Sequence, residues 1–108
     1  MAYDERLAAR VRALLASRAG VSERKMFGGL TFMIGGNMCC GVNGDELIVR
    51  LDSGHEGDAL ARPHARPMDF TGRRMRGFIT VHPAGLTGSN LDQWVHEAVT
   101  CAESLPPK

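Results

Sequence analysis

Apolar residues recur along this chain with two different periods. Between Asp4 and Ala19 they fall at Leu7, Val11, Leu14 and Leu15, the spacing of one helical stripe, with Arg6, Arg10, Arg12 and Arg18 lying largely in other directions. Asp4 suits the cap of this helix, and Gly20 suits its end. From Ser22 to Leu51 the period becomes two, the signature of strands. Ser22–Phe27 reads as a charged, edge-like strand, followed by strands at Leu30–Ile34, Met38–Val42 and Glu46–Leu51.

Glycines punctuate these strands. Gly28-Gly29 permits a turn or bulge, and Gly35-Gly36-Asn37 makes the next break. Asn43-Gly44 is the strongest turn signal, because both residues tolerate the positive φ of a type I′ hairpin. A two-residue turn there places Cys40 opposite Leu47 and Met38 opposite Val49, so turn chemistry and apolar pattern agree. For the preceding hairpin a three-residue loop keeps Phe32 opposite Cys40, whereas a two-residue loop puts it opposite Cys39. The first register is preferred.

Past Asp52 the pattern weakens. A short helix is expected around Glu56–Ala61, and Pro63 and Pro67 then predict a loop or irregular crossing over roughly 63–74, with extra pairing within 63–76 left open. Phe78–Val81 is a strand that can begin as early as Met75. Thr87–Asn90 introduces the last helix, capped by Ser89 or Asn90, with an apolar stripe of Leu91, Trp94, Val95, Ala98 and Ala102 that fades near Ser104. The expectation is one α+β domain over residues 1–108. It has an antiparallel sheet of about five strands covered by two longer helices, with a short helix between strands, as a two-layer sandwich.

Composition narrows the function classes. The 108 residues have a formal net charge of +1, which supplies no global attraction to nucleic acid or anionic lipid. No apolar run approaches the ~20 residues needed to span a bilayer, and the charged start has no secretory h-region. A cytosolic protein without membrane contact is expected. Cys39, Cys40 and Cys101 form neither a disulfide framework nor a CxxC knuckle, and are read as reduced thiols used as small hydrophobes.

Candidate chemistry is sparse. The glycine pairs match neither GxGxxG nor a Walker loop, so they are turns and no cofactor is expected. His55, His64, His82 and His96 are scattered, without metal-ligand spacing, and no Ser/His/Asp set has a nucleophile-elbow setting, so neither metal nor catalytic residues are assigned. Arg62, Arg66, Arg73, Arg74 and Arg76 make one segment locally basic. That segment reads either as a solvated face or as a contact to phosphates or an acidic protein. Arg73, Arg74 and Arg76 are its candidate interaction residues. Met26, Met33 and Met38 suit core filling, the preferred reading, or an adaptable interaction surface.

RKMFGGLTFMIGGNM, with the DELIVRL strand after it, resembles the amino-terminal domain family of TfoX/Sxy competence regulators. The resemblance continues through GFITV and LDQWVHEAV to SLPPK, and rests most on Met26, Phe27, Gly28 and Gly29 followed by Phe32, with Asn43-Gly44 as a further structural motif. It implies helices packed on an antiparallel sheet, in a standalone form of the domain. It also implies a regulatory function linked to transcription, in the manner of family members that cooperate with a cyclic-AMP receptor-type activator, and brings no catalytic residues. The expected function is therefore a non-enzymatic cytosolic regulatory or protein-interaction domain. Its partner is an unidentified protein such as a transcription regulator, and a homodimer is also compatible. The alternative is direct nucleic-acid binding through the Arg62–Arg76 segment.

Overall fold

The computed structural model describes residues 3–26, 29–70 and 73–106; at Met26, Ser53, 68–70 and 73–76 it describes the backbone alone. Helix α1 spans Glu5–Leu15. Asp4 caps it as expected, its Oδ1 accepting from the backbone N–H of Arg6 at 2.8 Å and of Leu7 at 3.2 Å. The helix stops at Leu15 rather than Ala19. Gly20, expected to end the helix, instead uses its φ of +76° to lead into the sheet, where its carbonyl accepts from Gly35 N–H at 3.1 Å. Tyr3 forms a parallel bridge to Gly44, and Asp4 N–H donates to Gly44 O at 2.6 Å, which anchors the start of α1 to the sheet.

Six strands form one antiparallel sheet: β1 Val21–Met26, β2 Gly29–Ile34, β3 Asn37–Asn43, β4 Glu46–Arg50, β5 Ala65–Phe70 and β6 Arg73–Val81. Their spatial order is β1-β2-β3-β4-β6-β5. The sixth strand corrects the expected loop over 63–74. Pro67 has no N–H to donate, yet it is tolerated because β5 is an edge strand and its register with β6 shifts at Pro67/Met68. The short helix α2 (Glu56–Leu60) and the last helix α3 (Asn90–Glu103) complete the fold, with 3-10 turns over Ser53–His55 and Pro83–Leu86. Ser89 occupies the position before α3, but its side chain makes no capping bond.

The hairpin geometry differs from the sequence expectation in two places. Between β3 and β4, Asn43 pairs with Glu46, so the turn is Gly44-Asp45 and not Asn43-Gly44. Only the first of these two residues has positive φ (Gly44, +58°), the habit of a type II′ turn. Cys40 consequently faces Val49 and Val42 faces Leu47. The slip is two residues, and with a period of two the core face is unchanged. Between β2 and β3, Phe32 does pair with Cys40, but through a Gly35-Gly36 turn and a bulge. Met33 pairs with Met38, leaving Cys39 as the extra residue. The bulge explains how Cys39 and Cys40, neighbours in a strand, are both buried in one core, and why Met38 sits opposite Met33 instead of sharing the face of Cys40.

The three described helices all contribute to one core on one side of the sheet. Leu7, Val11 and Leu15 of α1, Ala59 of α2, and Leu91, Trp94, Val95 and Ala98 of α3 meet Phe32, Cys40, Val49 and Ile79 of the strands. Glu56 is buried, and its Oε2 accepts from Gly77 N–H at 2.6 Å. This bond holds β6 where Gly77 takes φ +81° and its carbonyl accepts from Leu51 N–H. No described helix is long and apolar enough to cross a membrane.

Candidate interaction face

Strand alternation sends every second residue to the side of the sheet that the described helices leave uncovered. One cross-strand row on that side follows directly from the register: Arg24, Thr31, Gly41, Ile48, Thr80 and Arg66, one residue from each strand. Its centre is tightly packed, with Thr31, Ile48 and Thr80 at 5%, 8% and 7% exposure. Ile48 is buried yet belongs to no part of the helix-side core. Beside this row lie the Met33–Met38 and Arg50–Phe78 pairs, all four half-buried. The guanidinium of Arg50 lies 5.9 Å from the centre of the Phe78 ring. Met33 and Met38 therefore do not fill the core, because the bulge at Cys39 turns Met38 outwards.

The basic segment is divided by the fold. The guanidinium carbon of Arg62 lies over the Trp94 ring, 3.5 Å from its centre, and Arg62 pairs with Glu97. Arg66 reaches from β5 across β6 to Glu46 on β4, with Nη1 to Oε2 at 2.5 Å and Nη2 to Oε1 at 2.8 Å. The hydrogen bonds from Arg66, and then its charge, hold the Glu46 carboxyl below its ordinary pKa against the opposing effect of burial. Arg62 and Arg66 are thus engaged with carboxylates. Arg73, Arg74 and Arg76 occupy the start of β6, beyond the last residue of β4, and there Arg73 pairs by backbone with Phe70 and Arg74 with Asp69 of β5. Of the sequence motif, Phe27-Gly28 lies outside the described residues, while Gly29 is a strand residue opposite Met26.

The fold separates the histidines into two places. The rings of His64 and His82 lie with centres 6.0 Å apart and planes tilted by 32°, and His82 Nδ1 accepts from Ala84 N–H at 3.1 Å, a turn-capping role. His55 and His96 line a cleft of about 390 Å³ together with Asp52, Glu97 and Cys101. No three of the described His, Cys, Asp or Glu residues converge in a way that could hold a metal. Only the folding of α3 over the end of β4 brings this set together; no spacing in the sequence signals it.

The thiols differ sharply in access. A thiol–thiol hydrogen bond with Cys39, and then burial, hold the Cys40 pKa well above its ordinary value. Cys101 is half-exposed, and burial raises its pKa despite the opposing charge of Arg50. Iodoacetamide at pH 7.5 should therefore add slowly to Cys101 alone in the native protein and to all three cysteines after denaturation. Intact-mass spectrometry checks this, and rapid native addition to more than one thiol would contradict it.

The chain was compared with known proteins. Neither the curated proteins nor the solved structures contain a match. The family model described as TfoX N-terminal domain matches residues 13–102, from within α1 to the last turn of α3. On that match the chain belongs to the TfoX N-terminal domain family, a regulatory-type family that is not a known enzyme family.

Proposed function

We propose that this chain is a non-enzymatic regulatory domain of the cytosol that acts by binding a protein, in a pathway linked to transcriptional control. The observation that carries this reading is the sheet side opposite the helices, where Met33, Met38 and Phe78 remain partly exposed beside Ile48. Methionines adapt to varied partner shapes, and apolar residues grouped on a face mark interaction sites. The transcriptional link is supported by the resemblance to competence regulators. Engagement of Arg62 and Arg66 with carboxylates weakens the nucleic-acid alternative, leaving it Arg73, Arg74 and Arg76.

The test is recovery of partners from nuclease-treated cell extract by three tagged forms: the native chain, Met33→Glu/Phe78→Glu, and Arg73→Gln/Arg74→Gln/Arg76→Gln. Circular dichroism confirms that each is folded. The expected result is a nuclease-resistant protein partner held by the native and triple-Gln forms and lost from the double-Glu form. Recovery of nucleic acid alone, abolished by the triple change, would replace this reading with direct nucleic-acid binding.

A further inference from the structure

We infer that the corner of the sheet under the carboxy-terminal tail is a docking site for an extended leucine-proline segment of a partner protein, with the chain's own Leu105-Pro106 seated there as an autoinhibitory contact. Other residues form this site than those of the sheet face, and the inference does not depend on that face. Asn37, the first residue of β3, is only 4% exposed, and its Nδ2 donates to the Pro106 carbonyl at 2.9 Å across 69 residues of chain. A buried amide donor needs an acceptor. When the tail leaves, Asn37 loses its acceptor, so the site favours a segment that returns a carbonyl to that position. Proline suits this role, since it has no N–H of its own to satisfy and enters in an extended conformation at low entropic cost.

The rest of the site is formed without the tail. Gly35 N–H donates to Gly20 O at 3.1 Å, which ties the corner between α1 and β1 to the β2–β3 turn. Against that corner lies a groove of about 290 Å³, walled by Ala19, Ile34, Asn37, Ala102 and Leu105. Ile34 and Ala102 are buried, whereas Leu105 is half-buried and Pro106 exposed. The tail therefore leaves space beside it that a fuller segment would fill. Its hold is also light. The Arg18–Glu103 pair that spans the same corner at 3.4 Å is exposed at both ends, and such pairs contribute little. A segment held by one hydrogen bond and a half-buried leucine opens locally without unfolding the domain. A second copy of the chain is a poor source of the segment. Leu105 follows α3 directly, its N–H donating to Ala102 O, so another copy could seat its tail here only by bringing the end of its own α3. The apolar stripe of that helix is committed to its own core.

In the test, Leu105→Asp vacates the groove within the full chain. The ¹⁵N-labelled native and Leu105→Asp chains are titrated with the peptide acetyl-SLPPK-amide and followed by NMR, in which the Asn37 side-chain amide gives its own signals. The expected result is saturable binding by the Leu105→Asp chain, with the largest shifts at Gly20, Gly35 and the Asn37 side chain. The native chain should bind about tenfold more weakly, because its tail competes at an effective concentration on the order of millimolar. A peptide with aspartate in place of leucine should not bind, and adding Asn37→Ala to Leu105→Asp should weaken binding about tenfold. Circular dichroism checks that each chain is folded; if Asn37→Ala unfolds it, the Asn37 side-chain signals of the Leu105→Asp chain still decide the contact. Absence of saturable binding, equal binding of the aspartate peptide, or Asn37 signals that stay in place would overturn the docking site. Equal affinity of the two chains would overturn the autoinhibitory contact. A native mass that doubles on concentration, with the same signals moving, would assign the groove to a second copy and overturn the inference as well.

Discussion

Phe32→Ala should cost about 3–5 kcal/mol of stability, enough to leave a domain of ordinary stability barely folded. Phe32 has no exposed surface and lies in the middle of the sheet, opposite Glu23 on β1 and Cys40 on β3, with Val49 and Ile79 continuing the row. Deleting the ring opens a cavity under α3 that neighbouring strands, hydrogen-bonded on both sides, cannot close. Met33, the next residue, supplies the control. It is half-buried on the opposite face, so Met33→Ala should cost about 1 kcal/mol or less. Urea denaturation followed by circular dichroism measures both. Equal losses at the two positions would mean that the two faces of β2 have been assigned wrongly.

Gly29→Ala should destabilise by about 3 kcal/mol, for a different reason. A Cβ at Gly29 would lie 2.3 Å from Val42 O and 3.3 Å from Asn43 Cα, both backbone atoms of β3. No rotamer relieves that contact; β2 and β3 must move apart, at the expense of ladder hydrogen bonds. The backbone of Gly29 has no positive φ, so the demand is for space and not for a left-handed conformation. Two further glycines separate these causes. Gly44 has open space but φ +58°, and alanine there should cost about 1 kcal/mol. Gly54 has open space and no positive φ, and alanine there should be nearly neutral. Thermal melts of the three variants test the order. A Gly29→Ala protein as stable as Gly54→Ala would refute the close approach of the strands.

The Gly-Gly pair at 28–29, read from sequence as a turn or bulge, therefore contains a residue whose role is tertiary. Nothing within the local sequence distinguishes a glycine that bends the chain from one that lets a neighbouring strand come near. The same limit explains the register of the next hairpin. Phe32 opposite Cys40 was legible because both belong to apolar alternations, yet the two-residue turn and the bulge at Cys39 were not. The bulge satisfies the burial of two consecutive cysteines, a demand set by α3 above them.

The candidate face was only partly legible. The methionines were visible as either core or surface, and the choice between them depended on which side of the sheet the helices cover. The arginine segment was visible as charge, but its division was not. Arg62 finds Glu97 across 35 residues and Arg66 finds Glu46 across 20, pairings that no local pattern encodes. His55 and His96 meet at one cleft for the same reason.

What the sequence determined by itself were the features set by near neighbours: the start of α1 and its Asp4 cap, the alternation of the four leading strands and the apolar stripe of α3. These follow from backbone conformational preference and from the periods of 3.6 and 2, which act over a few residues. Tertiary structure alone decided that β5 exists, because Pro67 is excluded from an inner strand but not from an edge. It also decided which arginines are engaged and which side of the sheet stays uncovered. Those outcomes depend on contacts between segments far apart in the chain, and their energies exist only once the sheet has closed against its helices.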